Sequence, residues 1–259
     1  MMSLEERRAA HRGRGLAGYP VDLPGDAERL SGLTALVERL AGPVAVTLPG
    51  FGLTVEVPSE VGARTLFLLC VDDYEMAELE LLVRHGRQGD RLMALGGGIG
   101  VVAALGAKVT GAPVVVVEAN AALHSIIARQ VTLNGGRAEI VHAAAVADPN
   151  QYPDKTVAFT VADEFWYSRI GEGAGSHPVP ARSFDDLCAA HDPSLVIMDI
   201  EGAEVEILAR PVPACVRKLI VEIHTPDFGQ AKTAEIASRL FADGFRMIDQ
   251  QQLTWAFAR

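Results

Sequence analysis

The chain is 259 residues long, 49% hydrophobic and 22% charged, with a formal net charge of −10. That length suits one large domain, or one domain with an extension, and the apolar fraction excludes a mainly disordered chain, which could not bury enough surface to offset its ordering entropy. The acidic balance argues against a nucleic-acid binder, because a phosphate backbone is met with clustered Lys and Arg.

Residues 1–25 are rich in Arg, Gly and Pro and are expected to form a loosely held arm. From Ala27 to Leu40, leucines and Val37 recur at helical spacing. Val44–Leu48 and Leu53–Val57 flank a Pro49-Gly50-Phe51-Gly52 turn and predict a hairpin. Arg64–Val71 is expected to add an apolar strand, and Asp72-Asp73 to cap a helix running from Tyr74 to His85.

From Asp90 onward short apolar runs alternate with helical segments. Strands are predicted at Arg91–Leu95, Val114–Val117, Ala138–His142, Thr156–Val161, Leu195–Ile200 and Lys218–Ile223. Helices are predicted at Ile99–Lys108, Ala121–Leu133, Ser183–Ala190, Ala203–Ala209 and Thr233–Ala242. Phe245–Phe257 closes the chain as a hairpin. This alternation predicts a doubly wound α/β domain over residues 90–259, with a parallel sheet covered on both faces and one antiparallel strand at its end. Residues 1–89 are then an α+β extension, with a lid or a homodimer contact as the roles open to it.

Cys70, Cys188 and Cys215 show no paired spacing, which gives neither a zinc site nor a disulfide framework. No run reaches the roughly 18 apolar residues of a membrane span, and the charged Ser3–Arg8 stretch is unlike a secretory signal. A soluble, cytoplasmic protein is expected, with no membrane partner.

Two clusters carry chemistry. The first is Gly96-Gly97-Gly98-Ile99-Gly100, between a strand and a helix. Glycines there let the backbone approach a ligand, and the helix start offers unsatisfied N–H groups. Glu118 ends the next strand, where an acid can accept hydrogen bonds from a ribose diol. Gly98-x-Gly100-x-x-Ala103 fits a dinucleotide turn, Gly96-x-Gly98-x-Gly100 fits the turn of S-adenosylmethionine enzymes, and plain helix–sheet packing explains either.

The second cluster is acidic. Asp199 and Glu201 share one direction at the end of an apolar strand, and Glu222 and His224 end the next. Both ends belong to the edge where open α/β sheets bind ligands. Glu201 and Glu204 could equally favour the start of the following helix, and His224 could be a turn histidine.

These segments, in unbroken order over residues 72–257, resemble the FkbM-type family of S-adenosylmethionine-dependent methyltransferases. Tyr74-Glu75 with Glu78 is similar to its Y-E-x-x-E helix, Gly96–Gly100 to G-A-N-I-G, and Val117-Glu118-Ala119-Asn120 to F-E-P-N. Val131–Gly135, Val179–Leu187, Met198–Glu204 and Val221–His224 resemble its later motifs. Three positions depart: Ala94 stands where the family has Asp, Gly98 where it has Asn, and Ile197 where it has Lys.

The resemblance implies a class I, Rossmann-like sheet of seven strands. It implies S-adenosylmethionine over Gly96, Gly97, Gly98, Ile99 and Gly100, its ribose on Glu118, and its adenine near Ala119, Asn120 and residues 142–145. It also implies methylation of a hydroxyl on a small-molecule acceptor, such as a natural product or a sugar. His224 is then the expected base, with Asp199 and Glu201 orienting acceptor or cofactor. A divalent cation on these carboxylates is an open but disfavoured alternative. Phe165, Trp166 and Tyr167 are candidate lining of an acceptor pocket, and His177 is a second candidate base. An NAD-dependent oxidoreductase and a catalytically silent S-adenosylmethionine binder are the competing readings, the latter motivated by Ala94.

Overall fold

The structure is a computed structural model that describes residues 43–259, apart from 59, 60, 62, 71, 72, 162–167, 172, 174, 201 and 224. The helix expected over Ala27–Leu40 lies outside the described residues, as do Phe165, Trp166, Tyr167, Glu201 and His224. The chain divides into two compact units, Met1–Met76 and Ala77–Arg259.

In the first unit, β1 (Val44–Leu48) and β2 (Leu53–Val57) pair antiparallel, Val46 opposite Val55. Alternation buries Val46 and Leu48 on one strand and Leu53, Val55 and Val57 on the other. The stretch expected as a third strand is instead helix α1 (Ala63–Cys70). Its buried positions recur at helical spacing, with Leu66, Leu69 and Cys70 inside and Phe67 and Leu68 only partly covered, while Thr65 returns its hydroxyl to the Val61 carbonyl. A short apolar run does not by itself separate strand from buried helix, and here the helical face decides.

The second unit opens with α2 (Met76–His85), counted from Ala77. Its sheet has seven strands: β3 (Leu92–Leu95), β4 (Val114–Glu118), β5 (Ala138–His142), β10 (Leu195–Met198), β11 (Lys218–Glu222), β12 (Arg246–Gln251) and β13 (Thr254–Ala258). The order is β12-β13-β11-β10-β3-β4-β5. The five strands from β11 to β5 run parallel, and β13 inserts antiparallel between β11 and β12. This is the doubly wound, mostly parallel sheet with an antiparallel closing hairpin that the alternation of elements predicts.

Period-two alternation divides the strand residues between two faces. Met93, Leu95, Val117, Val196, Met198, Leu219 and Val221 pack with α5 (Phe184–His191), α6 (Glu204–Leu208) and α7 (Thr225–Ala242). Leu92, Val114 and Val116 face the other way, towards α3 (Val101–Thr110) and α4 (His124–Leu133). Gly106 makes that packing possible: a methyl group there would lie 2.1 Å from Leu92 Cδ2.

A second sheet of four strands was not expected from the sequence. β6 (Ala144–Val146), β7 (Thr156–Thr160), β8 (Arg169–Ile170) and β9 (Ser176–Ser183) lie in the order β6-β9-β7-β8. Its own small core holds Val146, Val157, Phe159, Val179 and Ala181. β9 runs straight into α5, whose N-terminus is capped by Ser183 accepting from the Asp186 amide.

Candidate cofactor and active site

The glycine turn connects β3 to α3 and is shaped by three residues with positive φ: Gly96 (84°), Gly98 (49°) and Gly100 (88°). The Gly96 amide donates to Val117 O (3.0 Å) and the Gly100 amide to Gly97 O (2.8 Å). Gly97, Ile99 and Gly100 are buried, so Gly96 and Gly98 are the more open positions of the turn. A methyl group on Gly97 would meet Ile127 Cδ1 at 2.6 Å, and one on Gly100 would meet Ile127 Cα at 2.8 Å. Part of the glycine requirement is therefore helix packing against α4. Gly100 caps α3 without any side-chain hydrogen bond, leaving its first amides available.

Glu118 closes β4 and is 7% exposed. Its Oε2 accepts from the Gly97 amide (2.8 Å) and its Oε1 from the Asn120 amide (2.6 Å). Burial raises its pKa, and the amides of Asn120, Gly97, Ala119 and Gly98 oppose that shift. One carboxylate thus ties the turn to the strand tip. Two histidines steady the same tip: His124 donates through Nε2 to Glu118 O (3.0 Å), and His142 through Nε2 to Ala119 O (3.2 Å). Their rings meet edge to face at 5.1 Å. Asn120 caps the short helical turn Ala121–Leu123, its side chain accepting from the Ala122 amide. Ala119 and Asn120 are both buried.

The acidic end of β10 comes to the same rim. The Asp199 amide donates to Leu95 O at 3.0 Å, continuing the β3–β10 pairing to the lip of the turn. Glu204 is fully buried, and its two oxygens accept from the Ile200 (2.9 Å) and Gly202 (2.7 Å) amides. Glu222 closes β11 opposite Thr254, and the Ile223 amide donates to Leu253 O. His177 lies on β9 in the second sheet, its ring edge-on to Phe159. Ala94 and Ile197 are direct partners across β3 and β10, both buried. The two sites where the family resemblance would have Asp and Lys are thus neighbours, and both are apolar here, which leaves neither charge buried alone.

The family model of the methyltransferase FkbM domain matches residues 100–247, more than half of the chain. The chain belongs to the FkbM methyltransferase family. No curated protein matches it. Solved structures similar to it include the ribosomal protein L11 methylase of Lactobacillus delbrueckii subsp. bulgaricus, 12% identical over 70% of this chain and 76% of that one, with a TM-score of 0.42. The precorrin-6y C5,15-methyltransferase of Geobacter metallireducens GS-15 is 12% identical over 70% of this chain and 85% of its own, with a TM-score of 0.41. A TehB-like SAM-dependent methyltransferase of Corynebacterium glutamicum is 12% identical over 76% and 94%, with a TM-score of 0.41.

S-adenosylmethionine is the cofactor of this FkbM methyltransferase. The residues present fit it. Gly96 and Gly98 carry no side chain into the turn, α3 offers uncapped amides, and Glu118 brings a buried carboxylate to the turn's edge, the donor and acceptor types such a cofactor calls for. Among the described residues no group of three or more His, Cys, Asp or Glu could hold a metal ion, and no helix is long and apolar enough to cross a membrane.

Proposed function

We propose that this FkbM methyltransferase transfers a methyl group to a hydroxyl of a small-molecule acceptor, with the cofactor over Gly96–Gly100 and its ribose on Glu118. The observation that carries the proposal is the meeting of two strand tips: Asp199 is hydrogen-bonded through its backbone to the last residue before the glycine turn, and Glu118 to the turn itself. The Asp199 backbone stands beside the cradle, which supports a role for its carboxylate at this site.

When bound, S-adenosylmethionine supplies an electrophilic methyl group. Ala119 and Asn120 bound the adenine side, with His142 bonded to the Ala119 carbonyl and His124 to that of Glu118. Asp199 orients the acceptor or the cofactor's amino group, together with Glu201, two residues further along the chain. His224 follows Ile223 at the end of β11 and takes the proton from the acceptor hydroxyl. A neutral hydroxyl is a weak nucleophile, so a positioned base contributes about 10²–10⁴-fold, with orientation of the two reactants contributing the larger share.

Calorimetric titration with S-adenosylmethionine and with NAD tests the cofactor reading. Binding of the first and not the second is expected; the reverse would turn the reading to an oxidoreductase. Incubation with a panel of hydroxylated and aminated small molecules, followed by mass analysis, tests the acceptor. A methylated hydroxyl is expected. Methylation of amines alone would overturn the hydroxyl assignment, and bound cofactor with no transfer to any acceptor would favour a silent binder.

A further inference from the structure

Glu118 and His142 are register partners at the ends of β4 and β5. The His142 ring reaches past that register to the next peptide, and its Nε2 lies 3.2 Å from Ala119 O. A carbonyl can only accept, so Nε2 carries the proton and donates. Ala119 C=O and Asn120 N–H belong to one planar peptide. The other side of that peptide is held as well, because the Asn120 amide donates to Glu118 Oε1 at 2.6 Å. The second carboxylate oxygen, Oε2, accepts from the Gly97 amide at 2.8 Å. One run of hydrogen bonds therefore passes from β5 through the tip of β4 to the glycine turn. The His124 ring stands edge-on to His142 with 5.1 Å between centroids, and its own Nε2 holds Glu118 O at 3.0 Å. His142 is exposed, whereas Glu118, Ala119 and Asn120 are buried.

We propose that His142 is a positioning residue for S-adenosylmethionine: by holding Ala119 O it sets the peptide that aims the Glu118 carboxylate at the cofactor's ribose. The proposal rests on the ribose assignment to Glu118 made above. Turning the Ala119–Asn120 peptide would break its bonds to His142 and to Glu118 together, so each bond constrains the other. A donor on the carbonyl also polarises the amide, and hydrogen bonds in such a chain strengthen one another by about 10–30%. The carboxylate is then fixed before the cofactor arrives, and its ordering does not subtract from affinity. His142 acts through Glu118 and needs no contact with either reactant.

The test compares His142→Gln, His142→Asn and His142→Leu with the wild type. A glutamine amide nitrogen lies the same number of bonds from the backbone as histidine Nε2, an asparagine amide nitrogen lies one bond closer, and leucine has no donor. Affinity for S-adenosylmethionine is read by calorimetry, and the Asn120 amide resonance is read by NMR on the cofactor-free protein. His142→Leu and His142→Asn should each lose affinity by about 3- to 10-fold, the scale of one hydrogen bond, and should move the Asn120 amide proton upfield. His142→Gln should restore both to near the wild-type values. Wild-type affinity in His142→Leu would overturn the proposal, and so would a His142→Gln no better than His142→Leu, which would reduce the ring to filling space. Glu118→Gln separates this role from the ribose assignment. Loss of affinity there with none in His142→Leu overturns the role of His142 alone, and loss in neither overturns both. Loss in His142→Leu alone overturns the relay through Glu118. His142→Ala takes the place of His142→Leu should the apolar side chain disturb folding, which the dispersion of the amide spectrum reports.

Discussion

A methyl group on Gly96 would lie 1.9 Å from the carbonyl oxygen of Asp199. The turn between β3 and α3 and the acidic end of β10 are thus pressed backbone to backbone, at a residue whose φ of 84° already favours glycine. Gly96→Ala is expected to displace the β10 tip and to lower the melting temperature by more than 5 °C, roughly 2 kcal/mol or more for a domain of this size. Gly135 has a similar φ of 79° and open space around it, so Gly135→Ala isolates the backbone term at about 1 kcal/mol. Equal losses in the two variants would show that the contact with Asp199 is not what selects glycine.

Glu118→Ala removes the acceptor proposed for the ribose and the clamp on Gly97 and Asn120. Affinity for S-adenosylmethionine should fall about 10- to 100-fold, the scale of one or two hydrogen bonds to a charged group; unchanged affinity would refute the assignment. The carboxyl also carries a pH signature. Because burial raises its folded pKa, the folded state holds the proton more tightly than the unfolded one. Its contribution is fully present below the unfolded value, near 4.3, and is lost as pH rises through the raised folded value. Denaturant unfolding of the wild type and Glu118→Gln across that window should show the wild type losing ground as pH rises. A constant difference would contradict the shift.

His224→Ala should reduce turnover by about 10²-fold or more, with little change in cofactor affinity. Single-turnover rates at saturating cofactor separate the two quantities. Wild-type turnover would remove His224 as the base.

Asp249 on β12 accepts from Arg84 Nη1 and pairs with His85 Nε2, both at 2.7 Å. Desolvation pushes its pKa up, but hydrogen bonds from His85 and the Gln250 amide, with the charge of Arg84, outweigh that and lower it overall. The stabilisation is therefore present above the unfolded value and is lost as pH falls through the lowered folded one. Asp249→Asn should cost about 1 kcal/mol at neutral pH and much less near pH 3, as measured by denaturant unfolding. A loss independent of pH would point to packing instead of charge.

The Arg259 guanidinium donates to four carbonyls, those of Val212, Pro213, Val216 and Asp243, and lies 4.4 Å from the centre of the Phe245 ring. Arg259→Ala should lower the melting temperature by about 4–8 °C, or roughly 2 kcal/mol, without altering cofactor affinity. Lysine lacks the planar fork and should recover little. Full recovery with lysine would reduce the contact to simple charge.

The parallel sheet was legible because its strands are continuous apolar runs between glycine stops. Val114–Val117 and Leu195–Met198 are examples, each followed by an acid that marks the ligand edge. The contact of Gly96 with Asp199 was foreseeable only as a shared rim, since its closeness depends on the β3–β10 register. Helix α1 was misread because Leu66–Val71 is apolar at nearly every position and hides its period. The second sheet was missed because β6 and β8 are three and two residues long, too short for any alternation to emerge. His124 and His142 hold the tip carrying Glu118, and no spacing in the sequence signals that role.

Glu204 spends both carboxylate oxygens on the amides of Ile200 and Gly202. A segment fastened from within in this way has surrendered its conformational freedom by the time the chain has folded. Under the proposed function the acceptor meets these two tethered amides, so selection there falls on molecular shape at first encounter instead of on later adjustment.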